Sequence, residues 1–410
     1  MSIDLRMAWR NLWRNPRRTL LTMSAIAFAC VLLVFMLSWQ FGSYETMINT
    51  AVKVQTGHLH VEAADYQDRQ DMRLVIKDPQ AVTKMVQAAP GVEAYTVRAN
   101  SFALVSSQER TYGILVVGID PAREAKVSTL KSIVRQGSFL EPGDHEGALV
   151  GRLLAQNLQV KLGDELTVLG QGRDGSIAAL VLKVRGIYSS GMDDFDRSSI
   201  QMGLQAFQDA FTMEGAAHQV VAICQSLEEV AGAKAYMAAH LPPQKDPGLT
   251  VLDWKQLMPG LLQGIEMDLV SGIIFYIILL VVVTFSILNT FLMSILERTH
   301  EFGVLMAMGA KPGRLGRLVV MESLAMNLLG VGAGMIMGAL ITWYFQVQGI
   351  DLGAQELMAQ YGIVGRIYPR LSWLSLLSGP AVVFVMTLLA ALYPTRRLWK
   401  LRPVEAMNYA

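Results

Sequence analysis

The sequence predicts an α-helical membrane protein of four transmembrane helices, with a large α+β extracytoplasmic domain inserted between the first and second spans. Three observations carry this. Residues 19–44, 269–296, 323–350 and 371–395 hold no charged side chain. Basic residues crowd the short connections on one side only. Between the first two apolar stretches lie more than 200 residues in which strand and helix patterns are mixed in short units. The chain of 410 residues is 52% hydrophobic, with a mean hydropathy of +0.35, which argues against a purely soluble globule. At about 1.5 Å per residue even the shortest apolar stretch spans roughly 37 Å, more than the roughly 30 Å hydrocarbon core.

Residues 1–18 read as a cytoplasmic amphipathic helix. Leu5, Trp9, Leu12 and Trp13 share one face, Arg6, Arg10 and Arg14 follow at i+4 steps on another, and Asn15-Pro16 ends it. Such a helix sinks indoles into the headgroup boundary and offers guanidinium groups to anionic lipid. The first span, 19–42, is too long for a signal peptide and runs into 43–55, which has few helix breakers. Residues 253–268 lead into the second span, 269–296, in the same way. Two helical stalks thus flank the inserted segment, 43–268, and a stiff helix transmits displacement that a flexible linker absorbs.

Within that segment, strand patterns fall at 57–61, 94–105, 112–119, 165–169, 177–187 and 219–224, and helix patterns at 79–89, 152–159 and 227–240. Turn clusters near 141–147 and 191–199 predict a middle subdomain at about 125–205. The remaining order is a coupling loop at 297–316, a third span at 317–346, a short outer hairpin at 347–370, a fourth span at 371–395 and a tail at 396–410. Gly330, Gly334 and Gly338 recur at four-residue steps in the third span, the spacing that lets another helix approach closely.

Charge sets the orientation. The N-terminal tail, the loop 297–317 and the C-terminal tail carry thirteen Lys/Arg together, against two in the hairpin. Both termini are therefore expected in the cytoplasm, with residues 43–268 outside. That segment holds 20 Lys/Arg and 27 Asp/Glu, a balance opposed to nucleic-acid binding. Cys30 lies in a span and Cys224 in the outer segment, so no intrachain disulfide is expected.

Much chemistry is missing. There is no G-x-x-x-x-G-K-[ST], no H-E-x-x-H and no G-x-S-x-G, so neither ATP use by this chain nor hydrolase activity is expected. Gly170 to Gly175 matches G-x-G-x-x-G, yet strand patterns flank it on both sides, which predicts a hairpin turn. Asp193, Asp194 and Asp196 read as a solvated acidic turn, and His58 and His60 as surface or partner contacts on one strand face; no metal site is expected.

The candidate functional residues lie elsewhere. In the loop 297–316, Phe302, Leu305, Met306 and Gly309 recur at helical spacing, with Arg298 and Glu301 on the other side, before Lys311-Pro312-Gly313 breaks the helix. A short amphipathic helix between two spans is a docking surface for a partner. Glu322, near a span end, needs a cation, and Arg298 or another basic residue of the cytoplasmic layer is the expected one. Phe35, Met36 and Trp39 on the outer half of the first span, with Met267, Ile274 and Phe275 at the start of the second, outline a cleft open to the outer leaflet.

The run Glu297-Arg298-x-x-Glu301-Phe302-Gly303-x-x-x-Ala307-Met308-Gly309-Ala310 resembles the signature of the MacB/LolC-LolE/FtsX-type ABC permeases. So do Glu322, Trp9-Arg10-Asn11-Leu12, and the C-terminal Pro394-Thr395-Arg396-Arg397 with Arg402-Pro403-Val404-Glu405-Ala406. The resemblance implies a bacterial inner-membrane permease with a periplasmic domain. It implies a second permease copy or homologous permease, and a separately encoded ABC ATPase dimer that holds the ATP–Mg, with no cofactor in this chain. Glu297, Arg298, Glu301, Phe302, Gly303, Met306 and Gly309 would then couple to the ATPase, Phe302 as apolar anchor. The expected function is extraction or export of lipoproteins or other amphipathic substrates, with a periplasmic carrier or adaptor as a further partner. A MacB-like efflux component and FtsX-like signalling to a periplasmic hydrolase are the alternatives.

Overall fold

The computed structural model describes residues 3–108, 110–351, 353 and 366–398. The expected hairpin 347–370 lies largely outside the described residues, as do positions 399–410 of the expected tail and its Arg402 to Ala406 motif. The chain forms two compact units, one from residues 1–44, 264–351 and 366 onward, the other from residues 45–263.

The first unit opens with α1 (Ile3–Leu12) and α2 (Pro16–Ala51). Pro16 is tolerated because the first helical turn has no partner for its missing N–H. On α1, Ala8 and Leu12 are buried, whereas Trp9, and Trp13 just past the helix end, remain about half exposed. After Ala51 the helix loosens into a π-turn, Val52–Thr56.

The second unit is built on one ten-stranded sheet. Its elements follow in chain order: β1 (Leu59–Ala63), α3 (Tyr66–Arg69), α4 (Pro79–Ala88), β2 (Val92–Ser106), β3 (Thr111–Ile119), α5 (Pro121–Val127), β4 (Val134–Gly137), β5 (Gly147–Gly151), α6 (Arg152–Leu158), β6 (Glu165–Gln171), β7 (Ile177–Tyr188), α7 (Asp193–Ser198), β8 (Ser199–Gly203), α8 (Leu204–Ala210), β9 (Gln219–Cys224), α9 (Val230–Ala239), β10 (Leu249–Asp253) and α10 (Trp254–Leu257). The strand order is β10-β1-β9-β2-β3-β8-β5-β7-β4, with β6 pairing β2 and β7. β3–β8 and β5–β7 are parallel, which mixes the sheet as an α+β domain allows. The fifteen-residue β2 is its spine: its first half pairs β9, its second half β6, and β3 runs along its other edge. Asp78 and Asp120 cap α4 and α5 by accepting from backbone N–H groups of the first turn, each followed by proline.

Three expectations change here. Residues 125–205 are no separate subdomain, because β4 to β8 enter the same sheet through the β3–β8 and β2–β6 pairings. His58 and His60 are buried rather than surface residues, since β1 lies between β10 and β9 and is covered on both faces. Of the acidic trio, Asp196 is fully buried in α7 and accepts from the Ser190 backbone N–H at 2.9 Å and its hydroxyl at 2.6 Å. The G-x-G-x-x-G stretch forms the expected hairpin, β6 and β7 staying paired out to Gln171 and Ile177.

The chain returns to the first unit through α11 (Pro259–Glu297), α12 (Thr299–Ala307), α13 (Pro312–Gln348) and α14 (Trp373–Leu398). The second stalk thus begins at Pro259; β10 and the short α10 occupy the positions before it. Among the described residues, four helices are long and apolar enough to cross a membrane: α2, α11, α13 and α14. α2 and α13 meet at the glycines. A Cβ on Gly334 would lie 2.6 Å from the Ala27 carbonyl oxygen and 2.6 Å from Cys30 Cβ, and one on Gly330 would lie 2.9 Å from Ile26 Cβ. Ser38 of α2 bonds Ser375 of α14 at 3.0 Å, and Asn327 of α13 donates to the Phe384 carbonyl at 2.9 Å.

Candidate functional site

Two sites stand out in the first unit. One surrounds α12. Its apolar stripe exists, but Phe302 is 1% exposed and packs with Ile295, Met306, Leu315 and Val319 of this same chain. Gly303 and Met306 are buried with it. Phe302 is therefore no free anchor: the stripe fastens α12 to the ends of α11 and α13. Gly309, at φ +92°, ends the helix in the left-handed region that glycine adopts without strain. The open face of α12 carries His300 and Val304, continued one turn on by the cap residue Met308.

Charges tie this layer together. Arg298 donates to Glu322 at 2.8 Å and also lies 3.5 Å from Glu301. Asn11 of α1 donates to the other Glu322 oxygen at 2.6 Å. Arg14 reaches Glu301 at 2.7 Å, and Arg18 reaches Glu297 at 3.1 Å. So Arg14, expected to face lipid, is paired with a carboxylate, and α1 joins the layer that holds α12. The buried Glu322–Arg298 contact matters most, because a carboxylate with less than a tenth of its surface exposed needs its partner.

The second site is a pocket of about 490 Å³ between α2 and α11. Phe35, Met36, Trp39 and Phe275 line it, with Phe35 stacked on Trp39 at 6.4 Å between ring centroids. Met267 and Ile274 do not; they stand exposed on another face of α11. Its polar end was not foreseen. Tyr44 donates to Asp268 at 2.6 Å, Gln40 Nε2 to the Tyr44 oxygen at 2.7 Å and to Asp268 at 3.3 Å, and Tyr276 to Gln40 Oε1 at 2.7 Å. Gly272 makes room for this network, since a Cβ there would lie 2.6 Å from Gln40 Nε2. The signal was present: Gln40 is the lone amide of its charge-free stretch, and Gln40/Tyr44 and Asp268/Gly272/Tyr276 each recur at four-residue steps.

Comparison with known proteins gives the family. A model of the MacB-like periplasmic core domain matches residues 19–240, more than half of the chain, and one of the FtsX-like permease C-terminal region matches residues 273–403. The chain belongs to the FtsX/MacB-type ABC permeases. Relatives of this permease include the lipoprotein-releasing system transmembrane protein LolC of Neisseria meningitidis, 20% identical over 95% of this chain and 94% of that one. LolC of Xylella fastidiosa is 24% identical over 82% of this chain and 80% of that one. The macrolide export ATP-binding/permease protein MacB of Rhodospirillum rubrum is 25% identical over 98% of this chain and 60% of that one. The FtsX/MacB-type permease is thus a multi-pass inner-membrane protein, with the MacB-like periplasmic core domain inserted between its first two spans.

Proposed function

We propose that this permease couples ATP hydrolysis by a separate ATPase subunit to motion of its inserted domain, and so extracts lipoproteins or other amphipathic molecules from the outer leaflet of the inner membrane. The observation that carries the reading is the pocket between α2 and α11. Its apolar wall suits acyl chains, its polar end lies where both apolar stretches stop, and its two walls are the helices that lead into and out of the inserted domain along the chain. The full-length likeness to proteins named for lipoprotein release supports the substrate class. Both termini lie in the cytoplasm, and the ATPase meets the His300, Val304 and Met308 face of α12, while Phe302 holds that helix to the spans.

A second reading, export in the manner of a MacB-like pump, draws on the tight β6–β7 turn, which leaves no long loop there for a soluble carrier. The deciding experiment is co-purification with the ATPase encoded beside it, followed by reconstitution in liposomes that hold an acylated lipoprotein. ATP-dependent release of the lipoprotein into solution is the expected result. Retention of the lipoprotein with ATP-driven movement of a soluble macrolide instead would transfer the account to the second reading.

A further inference from the structure

The polar end of the pocket has an unusual hydrogen-bond inventory. Gln40 offers two N–H donors and Tyr44 and Tyr276 one O–H each. All four are engaged within the network: Tyr44 on Asp268, Tyr276 on Gln40 Oε1, and the Gln40 amide on Tyr44 and Asp268. What the network leaves unused is lone pairs, headed by those of a carboxylate. Beside it, the donors not used by the network are the Ser43 hydroxyl, which is buried without a partner among the described residues, and the indole N–H of Trp39. The pocket lining contains Asp268 and no Lys or Arg.

Resting on the reading of this pocket as an acyl site, we propose that Asp268 and its Gln40–Tyr44–Tyr276 support are a selectivity filter. They admit acyl chains whose junction with the head group carries an N–H or O–H donor, and they disfavour a phosphodiester at that junction. The physical reason is complementarity. A phosphodiester is anionic and has only acceptor oxygens, so against Asp268 it meets a like charge, with no cation in the lining to offset it. An N-acylated amino group or an acylglycerol hydroxyl presents the hydrogen that the lone pairs lack. Asp268 is the last charge before the second apolar stretch and Tyr44 closes the first, so the filter sits where chains join heads in a bilayer. A pocket open to the bilayer is surrounded by phospholipid, and this device keeps the commonest acyl chains from occupying it.

Trp39 lines the pocket and supplies the readout. The purified full chain is titrated with brominated diacylglycerol and with brominated phosphatidylglycerol of the same chains, and the quenching lost in Trp39→Phe isolates this tryptophan from the other six. Diacylglycerol is expected to bind about tenfold more tightly, and Asp268→Asn to bring phosphatidylglycerol to within about twofold of it. Tyr44→Phe should move the ratio in the same direction by less. A lipid ratio unaltered by Asp268→Asn overturns the filter while leaving the acyl site standing. Failure of both lipids to quench Trp39 overturns the acyl site and the filter together.

Discussion

α2 and α11 are both long apolar helices, yet they meet the rest of their unit in opposite ways. α2 buries much of its apolar surface within the chain, α11 very little. α2 lies on α13 with backbone against backbone at Gly330, Gly334 and Gly338, and touches α14 at Gly379 through Leu33. On α11, Ile287 and Phe291 reach the shared core, while Val270, Ile273, Ile277, Phe285 and their neighbours stay more than half exposed. Small residues make a contact that cannot slide; a ring of large β-branched and aromatic residues makes a surface that accepts lipid, substrate or a second permease in turn. The difference separates a fixed wall of the pocket from one that is free to change partners.

The largest break in that comparison comes from the fixed wall. Gly334→Leu drives a side chain into the Ala27 carbonyl, which is backbone and cannot move aside. Overpacking of a tight core costs about 1–3 kcal/mol, and more where backbone must shift. Little folded protein is expected on size-exclusion chromatography in detergent. Val282→Leu on α11, 62% exposed, should leave the elution profile and the melting temperature unchanged. Equal yields from the two variants would erase the distinction.

Next in size is the contrast within α12. Phe302→Ala removes a side chain buried among Ile295, Met306, Leu315 and Val319, a loss of about 3–5 kcal/mol that lowers the melting temperature of the membrane unit. Met308→Asp, on a residue 72% exposed, should leave stability within about 0.5 kcal/mol and instead weaken the complex with the ATPase. Pull-down yield set beside thermal melting separates the two, and a Met308→Asp variant that retains wild-type binding would remove the open face as the docking surface.

A smaller effect separates the inserted domain from the helices. Burial holds the imidazoles of His58 and His218 down to about 4, so both are neutral in the fold. Their ordinary value is near 6.5, so the unfolded chain binds protons first as pH falls. Their stabilising contribution is complete above pH 6.5 and disappears as pH drops towards 4. The unfolding midpoint of the inserted domain is expected to fall across that window, and His58→Gln, which keeps an acceptor for the Cys224 N–H, to flatten the fall. A midpoint with the same pH slope in wild type and variant would show that this histidine is not the titrating group.

Chain order and apolar length made the four helices and the inserted α+β domain legible, because lipid leaves so few ways to satisfy a backbone. Non-local pairing was not legible. The turn near 141–147 is real, whereas most of 191–199 forms α7, and only the β3–β8 and β2–β6 pairings show that the strands between them rejoin one sheet. His58 and His60 alternate as surface residues do, and it is the central place of β1 that buries them. Phe302 shows the same limit at the site: periodicity reveals an apolar stripe, not which neighbour covers it. That Glu322 finds a cation in the cytoplasmic layer was readable, because a carboxylate beside a span needs one; that Arg298 supplies it is shown by the fold. The Gln40–Asp268 network left only its four-residue spacings in the sequence; that its two halves meet was not readable, since they lie over 220 residues apart and join only when α2 and α11 are side by side.

The account rests on the pocket between the fixed helix and the free one. A photo-reactive phenylalanine analogue placed in turn at Phe35, Trp39 and Phe275, with Phe285 on the outward face of α11 as comparison, tests it in living cells. The three pocket positions are expected to capture an acylated protein, more strongly when the ATPase is inactivated, while Phe285 captures lipid or a second permease. Capture of lipid alone at all four positions, with no acylated protein in either condition, would contradict the assignment of this pocket as the substrate site.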